Sequence, residues 1–208
     1  KIIRNCQLQG GLAIACGDAG IGKTQACRQY YREHGTNCIY ITVNPCIKSS
    51  KSVLELIGSK LNVSSGSVSR LWLEISSKLS DGMVIIVDEA QHLTRNAIDT
   101  LRSLCDCFDE KGQTLGICFV GNETTVSRLG GKQKAEFAQI RNRTKNTRFY
   151  SVKQIKKSDI EMLFPDIRED TAAVEFLLCI AQSPQAIRGA VNLYSNALDN
   201  GNVTAKGL

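Results

Sequence analysis

Residues 17–24 read GDAGIGKT, three glycines with a lysine and a hydroxyl residue at fixed offsets. Glycines at these positions let the backbone turn tightly, so that successive N–H groups converge on an anion. Lys23 then reaches the β- and γ-phosphates of a nucleotide, and the Thr24 hydroxyl ligates Mg²⁺. An apolar stretch at residues 12–15 precedes the run and a helix-like segment at 23–34 follows it. That is the strand-loop-helix context in which a helix N-terminus faces phosphate. The spacing predicts a cradle for ATP built from Gly17, Asp18, Ala19, Gly20, Ile21, Gly22, Lys23, Thr24 and Gln25.

A second motif, MVIIVDE at residues 83–89, supplies the complementary chemistry. Five apolar residues ending in two acids predict a buried parallel strand whose carboxyl end carries Asp88 and Glu89. Asp88 is placed to hold Mg²⁺ through water, and Glu89 to polarise the water that attacks the γ-phosphate. The two motifs match the Walker A and Walker B arrangement of P-loop ATPases, with the additional glutamate of hydrolysing members.

The elements that must position these groups alternate along the chain. Strands are expected at residues 12–15, 39–43, 83–87, 115–120 and 148–152, and helices at 23–34, 52–61, 68–79, 97–108 and 132–140. Such alternation argues for an α/β fold, a five-stranded parallel sheet with helices on both faces. After residue 152 the strand signals stop, and 158–163, 171–182 and 184–198 predict three helices. Ser158 is the expected N-cap of the first, and Pro184 a first-turn proline of the third. The expected organisation is an α/β nucleotide-binding core at 1–153 and a small helical lid at 154–208.

At 208 residues the chain is long enough to bury a substantial core. No run is long or apolar enough to span a bilayer and no signal peptide opens the sequence, so a soluble, cytoplasmic protein without a membrane partner is expected. The first residue is Lys1 rather than Met, which suggests a fragment of a longer protein. Most of the nine cysteines, including Cys16, Cys38, Cys118 and Cys179, fall within apolar patterns and are expected as reduced core residues. Cys105 and Cys107 form a close pair without metal-ligand spacing.

Net charge is +6, but residues 128–157 hold ten Lys or Arg and one acid, Glu136, a local +9 that leaves the remainder at −3. A solvated face, contacts to nucleic-acid phosphates, and arginines aimed at nucleotide all suit such a block. Asn122, two residues past the fourth strand, falls beside Glu89 in a parallel sheet, where its amide can orient the lytic water; a turn asparagine is the alternative. Arg143, then Arg141, then Arg148 are candidates to reach a γ-phosphate held by a neighbouring subunit, the alternative being surface or DNA-facing arginines. Arg188, in the last helix, is a candidate to fold over the nucleotide.

With these motifs in this order, the chain resembles the AAA+ ATPases over nearly its full length. DEAQHL at residues 88–93 and the short lid look like the transposition regulators of the phage Mu B and TnsC type, which are related to IstB-like helper ATPases and initiator or Cdc6-type loaders. The resemblance implies ATP-dependent assembly of a homo-oligomeric ring or filament on duplex DNA without sequence preference. It also implies delivery of that target DNA to a transposase, and hydrolysis that dissolves the assembly. In this branch the segment after the second strand enters a central pore. Here it reads NPCIKSSKS, so Lys48, Ser49, Ser50 and Lys51 become the expected DNA contacts, with Lys132 and Lys134 beside Gly130 and Gly131 as secondary ones. Helix capping by Ser50 or Ser52, with solvated lysines, is the alternative. Nothing in these residues resembles the helix-turn-helix domain that Mu B carries before its ATPase. Secretion-associated, ExeA-like ATPases share the DEAQ motif and are the competing reading, together with a nucleotide-gated scaffold that hydrolyses little.

Overall fold

Four of the expected apolar runs fold as β1 (Gly11–Gly17), β2 (Cys38–Thr42), β3 (Met83–Asp88) and β4 (Leu115–Gly121). The computed structural model describes residues 1–125, 144–205 and 207. The expected helix at 132–140 and the candidates Lys132, Lys134, Arg141 and Arg143 lie outside the described residues. A fifth strand, β5 (Thr144–Tyr150), completes one sheet in the order β2-β3-β4-β1-β5. The β2–β3, β3–β4 and β4–β1 ladders are parallel, pairing Thr42 with Asp88, Val87 with Phe119 and Gly121 with Cys16. Parallel pairing brings the carboxyl ends of β1, β3 and β4 to one edge of the sheet, the edge at which such sheets bind ligands.

The expectation of a strand at 148–152 needs correction. TKNTRFY at residues 144–150 is a mostly exposed edge strand carrying Lys145 and Arg148, so it lacks the apolar run that marks a central strand. Val152 instead begins a 3₁₀ turn, Val152–Gln154, capped by the Ser151 hydroxyl.

The helices are α1 (Ile2–Gln9), α2 (Lys23–Glu33), α3 (Ser50–Lys60), α4 (Val68–Lys78) and α5 (Arg95–Glu110). Thr94 starts α5 by accepting the Ala97 N–H, and Ala97, Ile98, Leu101, Leu104 and Phe108 form its buried stripe. That stripe packs with Val53, Leu54 and Ile57 of α3, Leu71 and Ile75 of α4, and Ile85, Val87, Ile117 and Phe119 of the sheet. On β3 the alternate residues Val84 and Ile86 are also buried, so the strand is covered on both faces. The helix α1 was not expected from the pattern; it buries Ile2, Ile3 and Cys6 and packs on β3 and β4. Its close approach requires Gly116, because a Cβ there would stand 2.5 Å from the Cys6 carbonyl oxygen.

Contacts divide the chain into two units, Lys1–Cys16 with Thr24–Phe149, and Gly17–Lys23 with Tyr150–Leu208. The phosphate-loop residues thus group with the C-terminal helices rather than with the sheet. The second unit contains α6 (Lys157–Leu163), α7 (Thr171–Ala181) and α8 (Ala186–Asp199). Its core is Ile160, Phe164, Ile167, Val174, Leu177 and Ala190, with Ile21 of the loop packed against it. Two local expectations change. Lys156, not Ser158, is the N-cap of α6, its N–H held by the Asp159 carboxylate at 2.8 Å. Pro184 lies in the turn before α8 rather than in its first turn, since the helix starts at Ala186. Cys179 is exposed on α7, whereas Cys16, Cys38 and Cys118 are buried as expected. Among the described residues no helix is long and apolar enough to cross a membrane.

Candidate nucleotide-binding site

In the second unit the loop Gly17–Lys23 is shaped by its glycines and tied to the segment that follows β5. Gly17 admits no side chain, since a Cβ would lie 2.1 Å from the Tyr150 carbonyl oxygen. The Asp18 N–H donates to that same carbonyl at 3.0 Å. The Asp18 carboxylate accepts the Val152 N–H at 2.8 Å and the Ser151 hydroxyl at 3.1 Å. Gly20 and Gly22 take φ of 76° and 95°, a backbone region open to glycine, and among the described residues a Cβ on Gly22 would meet nothing within 4 Å. The Lys23 ammonium donates to the carbonyls of Gly17 and Asp18 at 2.9 and 2.7 Å, which fixes it across the loop. A concave glycine loop with a cation held across it suits the phosphates of a nucleotide.

Arg188 belongs to the same unit. Its N–H donates to the Gly20 carbonyl at 3.1 Å while the residue itself is exposed. Two residues earlier Ala186 adopts φ of 56°, and its Cβ would be 3.2 Å from one built on Gly20. A left-handed alanine costs about 1 kcal/mol and persists where its surroundings dictate it. The first turn of α8 therefore lies directly on the phosphate loop.

In the first unit the Thr24 hydroxyl donates to the Asp88 Oδ2 at 2.8 Å. Asp88 is buried at the end of β3, and the same oxygen accepts the Tyr40 hydroxyl of β2 at 2.9 Å. Burial raises the Tyr40 phenol above its ordinary pKa; a hydrogen bond from Thr42 opposes this and the Asp88 charge adds to it. The phenol thus remains a donor at neutral pH. Oxygen donors from a hydroxyl and a carboxylate are the hard ligands Mg²⁺ prefers, so Thr24 and Asp88 fit that ion. Gln25, next along α2, is exposed.

Glu89 follows in the left-handed region, with φ of 59° and ψ of 32°, as the chain turns from β3 into the 3₁₀ turn Ala90–His92. Its carboxylate accepts a hydrogen bond from the side-chain amide of Gln91. The Gln91 carbonyl oxygen accepts the Asn122 N–H at 3.4 Å and the Thr125 hydroxyl at 3.5 Å. The side chain of Asn122 is engaged differently, its Oδ1 accepting the Thr124 N–H at 3.0 Å, which caps the turn that follows β4. The amide in contact with Glu89 therefore belongs to Gln91. Gln91 stands inside the DEAQHL motif, where residue type alone does not mark it as a site residue.

The candidate DNA segment also lies in the first unit. Asn44 accepts the N–H groups of Cys46 and Ile47, and the Lys48 carbonyl accepts the Thr94 N–H at 3.0 Å. Ser49, rather than Ser50, caps α3, in a reciprocal box with Ser52, while the Ser50 hydroxyl accepts a hydrogen bond from Thr100 at 2.9 Å. Lys48 and Lys51 are exposed, Lys51 within 3.9 Å of Glu55. Arg148 is exposed on β5.

A family model described as an AAA domain matches residues 6–129. The ATP-dependent target DNA activator B of Escherichia phage Mu is 30% identical over 194 residues, which cover 89% of this chain and 59% of that protein. The Mu-like prophage FluMu DNA transposition protein B of Haemophilus influenzae is 28% identical over 205 residues, 94% of this chain and 68% of that protein. The Aeropyrum pernix ORC1 protein, solved in complex with DNA, shares the fold at a TM-score of 0.62 and 15% identity, over 96% of this chain and 57% of that one. The model match spans more than half of the sequence and both motifs of the site, and on that ground the chain belongs to the AAA domain family of P-loop ATPases.

Proposed function

We propose that this chain binds and hydrolyses Mg-ATP and, in its ATP-bound form, assembles on duplex DNA as a regulator of transposition that presents target DNA to a transposase. The observation that carries the ATPase reading is the hydrogen bond at 2.8 Å between Thr24, the residue after the loop lysine, and Asp88. Lys23 and the loop backbone bind the phosphates, Thr24 and Asp88 hold Mg²⁺ when it is bound, and Glu89 takes a proton from the attacking water. Mg²⁺ supplies charge compensation on the phosphate oxygens. Residues 154–208 act as the lid, in which Arg188 responds to nucleotide because its N–H is bonded to Gly20 of the loop. Arg143, with Arg141 and Arg148 as the other candidates, acts on the nucleotide of a neighbouring subunit.

The DNA reading rests on similarity to the phage Mu target DNA activator and the prophage transposition protein. Exposed Lys48 and Lys51 beside a capped helix start suit phosphate contacts, which position a protein on DNA without reading bases. The test is binding to a labelled duplex of arbitrary sequence with ATP, with ADP and without nucleotide. Retention with ATP, and its loss with ADP, is expected. Equal binding in all three states would overturn the ATP-gated reading.

A further inference from the structure

The Gln91 side chain, beside Glu89, uses its two ends for opposite purposes. Its NH₂ group donates to the Glu89 carboxylate, and its carbonyl accepts from the Asn122 N–H and the Thr125 hydroxyl. The reverse orientation of the amide would set its carbonyl against a carboxylate and its NH₂ against an N–H, so the surroundings admit one orientation. Space for it is provided by Gly121, where a Cβ would fall 2.4 Å from the Gln91 oxygen and 2.3 Å from the Thr125 hydroxyl. Thr125 itself is fully buried, which fixes the far end of the bridge against β4.

We infer that Gln91 is a positioning residue for hydrolysis, holding the Glu89 carboxylate in place from an anchor at the end of β4. The inference rests on Glu89 being the residue that activates water. Glu89 leaves β3 in a left-handed conformation and is only partly buried, so the backbone alone leaves its long side chain several rotamers. An amide tied to the neighbouring strand removes that freedom. A glutamate at position 91 would face Glu89 with a second negative charge, and a leucine would keep the bulk without either hydrogen bond.

The experiment measures kcat and, separately, the dissociation constant of a fluorescent ATP analogue for Gln91→Leu, Thr125→Val and Glu89→Gln, with the Gln91→Leu/Glu89→Gln double variant. Gln91→Leu is expected to lower kcat by about 10- to 100-fold, the range for a displaced reacting group, with the dissociation constant within about twofold of the parent. Thr125→Val, which keeps shape and removes one donor to the bridge, is expected to lower kcat by less. Adding Gln91→Leu to Glu89→Gln is expected to change the residual rate no further, because the amide then has no carboxylate to place. An unchanged or increased kcat in Gln91→Leu overturns the inference, as does a parallel loss of binding. Should Gln91→Leu fail to fold, an unchanged kcat in Thr125→Val overturns it. Full hydrolysis by Glu89→Gln would instead overturn the assignment of Glu89, so the two failures are distinct.

Discussion

The Thr24 hydroxyl and the Asp88 carboxylate meet at 2.8 Å although they stand 64 positions apart in the chain. The same carboxylate oxygen accepts the Tyr40 hydroxyl at 2.9 Å. The end of β3 is therefore oriented by the first turn of α2 and by β2 together, which limits the directions in which Asp88 can present its oxygens.

Tyr40→Phe removes one of these two donors and leaves the ring. The Mg²⁺ concentration for half-maximal ATPase is expected to change by at least about threefold, a modest share of what a hydrogen bond to a charged group contributes. Nucleotide binding measured in the presence of a chelator should be unaffected. A titration of ATPase against Mg²⁺ checks this, and superimposable curves for variant and parent would refute the role given to Tyr40.

Gly116→Ala tests the packing of α1. The new methyl would sit 2.5 Å from the Cys6 carbonyl oxygen, backbone that cannot move without shifting the helix. A loss of about 1–3 kcal/mol is expected, as for other overpacked cores, seen as a lower melting temperature. A melting temperature equal to the parent's would show that α1 packs more loosely than described.

These residues also show what was legible in the sequence. The motifs at residues 17–24 and 83–89 were readable because their chemistry demands fixed residue types at fixed offsets. The central strands were readable because strands buried on both faces become continuous apolar runs, as MVIIVD does. Helix α1 is not legible because it buries Ile2, Ile3 and Cys6 in eight residues and, among the described residues, has no side-chain cap. Strand β5 lies at Thr144–Tyr150 rather than at 148–152 because an edge strand with Lys145 and Arg148 carries no apolar signature. Gln91 is not legible in the sequence because a glutamine becomes informative only when its neighbours in space, Glu89 and Thr125, are known.

Cysteine chemistry separates the buried thiols from the exposed ones. Burial pushes the Cys6 and Cys38 thiols up to about 12 from the ordinary 9.0, and Cys118 is raised as well. A raised thiol pKa in the folded state leaves stability intact below about pH 9; stability then falls as pH climbs towards 12, where the unfolded chain ionises first. At pH 8 a disulfide reagent is expected to label Cys46 and Cys179 rapidly, and Cys6, Cys38 and Cys118 only on unfolding. Peptide mapping of the labelled cysteines checks the assignment, and rapid labelling of Cys38 in the folded protein would contradict it.

The proposed DNA contacts are tested through salt. If Lys48 and Lys51 lie against the phosphate backbone, the Lys48→Ala/Lys51→Ala variant should bind every duplex more weakly and show a shallower dependence of log affinity on log salt, by about one per lost contact. Its ATPase without DNA should equal the parent's. An unchanged salt slope would remove both lysines from the interface and direct attention to Lys132 and Lys134.

The most direct measurement is the lifetime of the protein on duplex DNA after ATP is supplied, for the parent, Glu89→Gln and Lys23→Ala. Lys23→Ala is expected to bind nucleotide at least about tenfold more weakly and not to assemble, since it loses a charge-assisted hydrogen bond to phosphate. Glu89→Gln is expected to assemble and stay, and the parent to leave as ATP is consumed. Release of Glu89→Gln at the parent's rate, with equal hydrolysis, would contradict the claim that ATP turnover at this site governs the hold on DNA.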